Sequence, residues 1–302
     1  QEALEDFSVD IHFIAGGTLT NLTFISHILK PFEAVISAET GHINTHETGA
    51  IEATGHKVCP ILTKDGKLTP DLIRPVLDMH ENEHWVDPRL VYVSNPTEVG
   101  TVYTKEELED LYAFCKRHDL YFYIDGARLA AALAAKEETH LTFPDLPKLC
   151  DAFYIGGTKV GAMFGEALVL VNDNFKERFR FNMKQKGAIL AKGWFLGVQF
   201  EELFKNNLYI EAGAHSIAMM KPIKEAFEKA GIPLLCEAPT NQIFPIFPDA
   251  LAEEINKKYL TTFQCKPDKK HTCLRFCTSW ATNENAVKDF VADFEEMCNR
   301  LL

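Results

Sequence analysis

Short apolar segments typical of β-strands alternate with amphipathic helical segments through the first half of the chain. Strand–helix alternation with short polar connections indicates a mainly parallel sheet covered by helices on both faces. We therefore predict an α/β fold with a mainly parallel sheet flanked by helices. Ligands of such sheets bind at the carboxyl ends of the strands. The predicted strands are 9–14, 34–37, 57–62, 90–94, 120–124, 152–155 and 167–171, and the helices between them include 19–29, 69–78 and 105–117.

The C-terminal part of the chain has a different pattern, in which helices and strands are mixed. This pattern predicts a smaller C-terminal α+β domain. We expect residues 1–205 to form a large domain and residues 206–302 a small one. The elements predicted after the last strand of the large sheet are helices 175–186, 188–204, 217–229, 249–257 and 283–301 and strands 242–247, 259–263 and 272–278.

Charge and cysteine content limit the partners and the compartment. The net charge of −12 disfavours nucleic acids and anionic membranes, because binding phosphates requires a basic surface. The eight cysteines include no CxxC pair, and we expect buried free thiols in a reducing compartment. No apolar run approaches the ~18 residues of a membrane span. The chain begins with neither methionine nor a signal segment, which we interpret as a missing N-terminal arm, and the expected location is cytoplasmic.

The segment FYIGGTKVG, residues 153–161, ends a short apolar strand with two glycines and a lysine, Lys159. Paired glycines allow a tight turn and the close approach of a bulky ligand. A lysine just past a buried strand is poorly solvated, which lowers its pKa and favours the neutral, nucleophilic amine. Such an amine can form a Schiff base with a carbonyl group. The simpler interpretation is a solvated loop lysine.

A glycine-rich turn, residues 15–18, follows the first predicted strand and leads into a helix. Backbone N–H groups and the positive end of the helix dipole favour a phosphate at such a place, to which the Thr18 hydroxyl adds a donor. A plain helix N-cap is the alternative.

Two histidines, His42 and His46, follow the second predicted strand in a segment expected to be more loop than helix. Their four-residue spacing would suit a metal in a helix, but no third ligand is evident and we predict no metal site. They are interpreted as solvated or core histidines, or as an aromatic lid over a ring cofactor.

Residues 121–128, YFYIDGAR, place Asp125 directly after a β-rich run and Arg128 three residues later. This position lies at the edge of the sheet where ligands bind. The aspartate either caps the following helix or holds a proton on the ring nitrogen of a cofactor.

These features all follow predicted strands, so they are expected at one edge of the sheet. Together they describe a pocket for a phosphorylated heteroaromatic ring that carries an aldehyde. Pyridoxal 5′-phosphate requires an amine, a carboxylate for its ring nitrogen, donors for its phosphate and a ring to stack on. We therefore predict pyridoxal 5′-phosphate as the cofactor.

The same segments resemble those of the fold-type-I pyridoxal-phosphate enzymes, and within them the threonine aldolase / β-eliminating lyase family. The resemblance extends over nearly the whole chain and implies an aspartate-aminotransferase-like large domain. The segments that carry it are GGTLTN (16–21), GHINTHETGA (41–50), YIDGAR (123–128), GGTKVG (156–161) and CLRF (273–276).

The resemblance implies roles for the residues around the cofactor. Lys159 would form the internal aldimine, and Asp125 would pair with the pyridinium nitrogen and keep it protonated. Gly17 and Thr18 would hold the phosphate. His42 would stack on the ring and is a candidate base.

Two arginines are implied as ligands of the substrate carboxylate. Arg128 would lie beside the cofactor and the carboxylate, and Arg275 would be a second clamp, since a guanidinium allows two parallel hydrogen bonds. For Arg275 the alternative is a surface position on an edge strand. Where many bacterial members carry a Thr-His segment, this chain has residues 95–98, NPTE. If Glu98 occupies that place it is the candidate base, and it needs a raised pKa to act near neutral pH.

The implied reaction is the cleavage of threonine or allo-threonine to glycine and acetaldehyde through an external aldimine and a quinonoid. The nearest alternative is a β-eliminating lyase or another fold-type-I enzyme that acts on an amino acid. A binding protein without catalysis is disfavoured by the retained Lys159, and a nucleotide-binding protein by the lack of a GxGxxG run. The resemblance also implies a homodimer or homotetramer with shared active sites.

Overall fold

The computed structural model describes residues 1–301, and its larger sheet has seven strands. Their order across the sheet is β1-β7-β6-β5-β4-β2-β3. Strands β2 to β6 run parallel to one another, and β7 pairs antiparallel with both β1 and β6. The mainly parallel sheet predicted from the sequence is confirmed. The seven strands are β1 (Asp10–Ile14), β2 (Glu33–Ala38), β3 (Lys57–Ile61), β4 (Asp87–Ser94), β5 (Tyr121–Asp125), β6 (Ala152–Gly156) and β7 (Glu166–Leu170).

Helices cover both faces of this sheet, because alternate strand residues point into two separate apolar cores. In β4, for example, Val91 and Val93 join the core on one face, whereas Leu90 and Tyr92 join the core on the other. Burial on both faces explains why the strands read as continuous apolar runs. The helices up to residue 204 are α1 (Gly17–Ile28), α2 (His42–Thr45), α3 (Pro70–Met79), α4 (Lys105–Arg117), α5 (Leu129–Ala134), α6 (Lys136–Thr139), α7 (Leu146–Leu149), α8 (Phe179–Gln185) and α9 (Trp194–Phe204).

A second, smaller sheet lies in the C-terminal part of the chain. Its strand β11 pairs antiparallel with each of the three others. A cluster of phenylalanines forms its core, with Phe227 in edge-on contact with Phe247, Phe276 and Phe294. The elements of this part are α10 (Leu208–Lys229), β8 (Gln242–Ile243), β9 (Ile246–Pro248), α11 (Asp249–Lys258), β10 (Thr262–Cys265), β11 (His271–Cys277) and α12 (Glu284–Leu301).

Helix α10 packs against α5 on the larger sheet and against α12 of the smaller part. The division at residues 205/206 stays a prediction. The strand predicted over 242–247 is wrong in its middle, where it breaks into two short strands at Phe244 and Pro245. Proline has no N–H group to donate to a ladder. The helix predicted over 188–204 begins only at Trp194, after the turn around Gly187, which has a φ of 77°.

No helix within residues 1–301 is long and apolar enough to cross a membrane. All eight cysteines are free. The expectation of buried thiols holds for four of them and is wrong for Cys277, which is exposed at the last position of β11. The remaining three are half-buried.

Candidate active site

The loops that follow β2, β4, β5 and β6 surround a cavity of about 440 Å³, and β11 closes one side of it. The structure thus places five of the predicted site residues around one space, together with Gln242, one of two glutamines there that had no predicted role. Gly17, Thr18 and Asp125 do not line this cavity. The predicted residues and the glutamine are His42, Glu98, Arg128, Lys159, Arg275 and Gln242.

Two glycines bring the turn that carries Lys159 against the end of β5. A Cβ atom added at Gly126 would collide with the carbonyl oxygen of Tyr154, and one added at Gly156 would collide with that of Ala127. Only glycine permits this approach of two backbones. As a result the Lys159 turn and the loop after Asp125 lie side by side.

Lys159 was expected to be poorly solvated, and in the structure it retains an exposed surface. It nevertheless lies in a concave site whose walls partly desolvate it. This desolvation, with the nearby Arg128 guanidinium, lowers the pKa of the Lys159 amine. A lowered pKa increases the fraction of neutral amine, which is the nucleophilic form.

Glu166 anchors the lysine turn from β7, and no sequence signal pointed to it. Its carboxylate accepts a 2.8 Å hydrogen bond from the Gly157 N–H and a 2.9 Å bond from the Thr158 hydroxyl. Burial raises the pKa of Glu166 to about 7. The residue therefore positions the two residues that precede Lys159.

Asp125 ends β5 and is 2% exposed. One carboxylate oxygen accepts hydrogen bonds from the Tyr92 hydroxyl at 2.6 Å and the Asn21 amide at 3.0 Å. The other accepts the Ala127 N–H at 3.0 Å. The N-cap of α5 is Arg128, so Asp125 does not cap that helix.

A buried chain of hydrogen bonds connects Asp125 to His42. The Asn21 amide donates to Asp125 and, at 2.8 Å, to the Glu47 carboxylate. That carboxylate also contacts His42 Nδ1 at 2.8 Å. Burial has the largest single effect and would lower the pKa of His42, but the hydrogen bond to Glu47 and the negative charges of Asp125 and Glu47 together outweigh it, so the pKa is raised. The network favours the protonated imidazole.

The segment that holds His42 is more ordered than predicted, because residues 42–45 form the short helix α2. The rings of His42 and His46 are stacked, with centroids 5.5 Å apart and an interplanar angle of 17°. Burial and the neighbouring His42 lower the pKa of His46. The pair therefore presents two stacked rings at the cavity, one tending to hold a proton and the other to lose it.

Glu98 stands on a tightly held loop after β4. Asn95 pins this loop, since its side-chain oxygen accepts the Tyr103 N–H at 3.1 Å and its own N–H donates to the Asp125 carbonyl at 3.0 Å. The Glu98 carboxylate accepts the Ser94 hydroxyl at 2.6 Å and the backbone N–H of His42 at 3.0 Å. Burial raises the pKa of Glu98 against the opposing effect of the Ser94 hydrogen bond.

The predicted phosphate site lies at the N-terminus of α1, a helix of 12 residues. Its N-cap is Gly16, and no side chain caps it. A Cβ atom at Gly16 would meet nothing within 4 Å, so the space beside the N-cap is open. Gly17 lies against the Tyr154 hydroxyl of β6, and Asn21, one turn further along, reaches Asp125.

Arg275 lies on β11, which has partners on both sides and is not an edge strand. Its neighbours Leu274 and Phe276 point into the apolar core, and the arginine points the other way, into the cavity. Its Nε atom is buried without a partner among residues 1–301. A guanidinium in this position is available to an anionic ligand.

The sequence profile of the beta-eliminating lyase family matches residues 3–248. The chain belongs to the beta-eliminating lyase family. Among its relatives is the low specificity L-threonine aldolase of a Pseudomonas species, with 30% identity over 295 residues that cover 94% of this chain and 82% of the relative. The predicted family is confirmed.

Solved structures agree with the family assignment. The threonine aldolase of Leishmania major has a TM-score of 0.96 and 49% identity, covering 98% of this chain and 86% of that one. An aspartate aminotransferase of Thermus thermophilus has a TM-score of 0.69 at 15% identity, covering 95% of this chain and 75% of that one, and shows the fold alone. The predicted aspartate-aminotransferase-like fold of this lyase-family chain is confirmed.

Several residues that form the site of this beta-eliminating lyase family member were not predicted from the sequence. Asn21 and Glu47 lie inside the motifs GGTLTN and GHINTHETGA, and membership in these motifs is the sequence signal for them. Tyr92 and Glu166 gave no signal, because each reads as an ordinary strand residue.

Proposed function

We propose that this chain is a pyridoxal-phosphate-dependent threonine aldolase that cleaves L-threonine or L-allo-threonine to glycine and acetaldehyde. The observation that carries the proposal is the cavity in which Lys159, Glu98 and two arginines meet. The 49% identity to the Leishmania major threonine aldolase supports this choice of reaction.

The residues present fit pyridoxal phosphate. Lys159 would hold the aldehyde end through its amine, and the buried Asp125 carboxylate would hold the ring nitrogen. The first turn of α1, with Gly17 and Thr18, would hold the phosphate, because no side chain caps its N–H groups and a Cβ atom at Gly16 would meet nothing within 4 Å. His42 would stack on the ring. When bound, the cofactor supplies an electron sink for negative charge at the Cα atom of an amino acid.

Two guanidinium groups orient the substrate. Arg128 and Arg275 both line the cavity, and each can take the α-carboxylate of an amino acid. A carboxylate held from two sides fixes the rotation of the substrate about its Cα atom. The protein thereby determines which of the bonds at the Cα atom is oriented for cleavage.

Glu98 is the better candidate for the base that takes the β-hydroxyl proton. The contact with Glu47 favours the protonated form of His42, and an imidazolium has no free lone pair to accept a proton. The Glu98 carboxylate lines the cavity, and its raised pKa makes it a stronger base than an ordinary glutamate. As the proton moves to Glu98, the Cα–Cβ bond breaks and the aldehyde leaves.

The test is to incubate the purified, cofactor-loaded protein with L-allo-threonine and with L-threonine and to quantify the products. We expect glycine and acetaldehyde in equal amounts. Release of ammonia and 2-oxobutanoate without acetaldehyde would instead identify β-elimination and would overturn the aldolase proposal.

Replacing Glu98 by glutamine tests the base. We expect kcat to fall by about 10²–10⁴-fold, because an amide cannot accept the β-hydroxyl proton. In the unmodified protein, activity should fall as the pH drops through the raised pKa of Glu98, since the protonated carboxyl is inactive. The variant should lose this acidic limb.

Glu39→Gln is the matched control for Glu98, because this carboxylate lines the same cavity without the Ser94 and His42 contacts. We expect its pH–rate profile to match the unmodified protein. A Glu98→Gln variant with full activity and an unchanged acidic limb would transfer the role of base to another group.

Two large aromatic side chains are exposed on helices of the larger part of the chain. Phe181 on α8 and Trp194 on α9 are 73% and 67% exposed, and exposed apolar groups of this size are typical of protein contacts. We propose that these surfaces join copies of the chain in a homodimer or homotetramer with shared active sites. We also propose residues 1–205 and 206–302 as the two domains.

A further inference from the structure

Gln242 is a buried polar residue whose side-chain amide makes no hydrogen bond within residues 1–301. It is 1% exposed, and both Nε2 and Oε1 lack a hydrogen-bond partner among residues 1–301. Burying an unpaired amide destabilises a protein, and such groups in native structures need an explanation. Gln242 also lines the cavity of the candidate active site.

Strand register places Gln242 on the same face of the smaller sheet as Arg275. In the antiparallel pairing of β8 with β11, Gln242 is opposite Cys277 and Ile243 is opposite Phe276. Side chains at i and i+2 share a face, so Arg275 is the diagonal neighbour of Gln242. Such neighbours are near enough to bind one small ligand together.

The opposite face of the same strands shows that packing does not require a glutamine. Ile243 and Phe276 point into the apolar core, where they are buried against other hydrophobic side chains. An apolar residue at position 242 would avoid the unpaired amide. The amide is therefore better explained by a ligand in the cavity than by the fold.

We propose that Gln242 is a substrate-binding residue that donates from Nε2 to the α-carboxylate beside Arg275. The inference rests on the proposed function, because it takes the ligand to be an α-amino acid. Arg275 Nε is likewise buried without a partner among the described residues. A carboxylate accepts hydrogen bonds only, and its two oxygens can engage both donors.

The test compares Gln242→Glu, Gln242→Met and the control Gln264→Met by calorimetric titration of the cofactor-loaded protein with glycine. Glycine has the carboxylate and cannot be cleaved. We expect Gln242→Glu to raise the glycine Kd by more than about tenfold, because it removes the donor and adds a like charge. Gln242→Met should raise Kd about fivefold. Gln264, which lines the same cavity, should be replaceable with little change.

A second readout does not depend on the cofactor. Gln242→Met replaces the unpaired amide by an apolar side chain of similar shape, so the Tm of the cofactor-free protein should rise by about 2–4 °C. This rise would also show that the variant is folded.

Unchanged glycine affinity in both Gln242 variants would overturn the inference, as would tighter binding by Gln242→Glu. Wild-type protein that binds no glycine would overturn it too. Wild-type protein that binds glycine but releases no acetaldehyde from L-allo-threonine would defeat the proposed aldolase reaction, and the titrations would still decide the role of Gln242.

Discussion

Lys159→Ala is expected to abolish activity, with kcat reduced about 10⁴-fold or more, because its amine is the group proposed to bond to the cofactor aldehyde. The visible absorption band that depends on the bond between the Lys159 amine and pyridoxal phosphate should also disappear. Lys159→Arg should be equally inactive, since a guanidinium keeps the charge but is not a nucleophile at neutral pH. Absorption spectroscopy and the glycine assay measure both effects.

The Lys159→Ala protein should remain folded. A lysine with a lowered pKa in the folded state binds its proton more weakly there than in the unfolded state, so the charged form disfavours folding. Its removal should leave the Tm of the cofactor-free protein unchanged or slightly raised. Lys221→Ala, an exposed lysine on α10, is the control and should keep both colour and activity. A coloured, active Lys159→Ala protein would disprove the role assigned to this residue.

Asp125→Ala is expected to reduce activity by about 10³-fold and to weaken cofactor binding. The carboxylate would stabilise positive charge on the ring nitrogen from a buried position, where electrostatic interactions are strong. The substitution also leaves the Tyr92 hydroxyl and Asn21 amide without an acceptor. We expect this to lower the free energy of unfolding by about 1–3 kcal/mol.

Two further variants separate the electrostatic effect from the structural one. Asp125→Asn keeps the size and one acceptor but removes the charge, so it should lose most of the activity with a smaller loss of stability. Tyr92→Phe removes the hydroxyl that bonds to Asp125 and Ser94 and keeps the charge of Asp125, so it should retain most activity. Fluorescence titration with pyridoxal phosphate and chemical denaturation provide the two measurements. Full activity of Asp125→Asn would contradict the electrostatic role.

Local sequence was sufficient to predict the elements that build the site. Strands buried on both faces read as apolar runs, and the polar residue after each run marks the ligand-binding edge. Lys159 and Asp125 were predicted as neighbours on this ground. The segments that carry them can approach closely because Gly126 and Gly156 have no side chain, and a Cβ atom at either position would collide with the other segment's backbone. The family resemblance, confirmed by the profile match, supplied the reaction.

Long-range contacts decided what the sequence could not show. Asn21 bridges Asp125 and Glu47 over separations of 104 and 26 residues, and no periodicity or motif spacing records such pairs. The burial of Glu98 raises its pKa only because distant elements close around it.

The alternation of strands and helices, the glycine turns and the polar residues at strand ends were determined by the sequence alone, because each depends on neighbours within a few residues. Only the tertiary structure decided the protonation preferences of His42 and Glu98 and the unpaired amide of Gln242. Charge, burial and hydrogen bonding at those positions arise from residues that are distant in the sequence and are brought together by the fold.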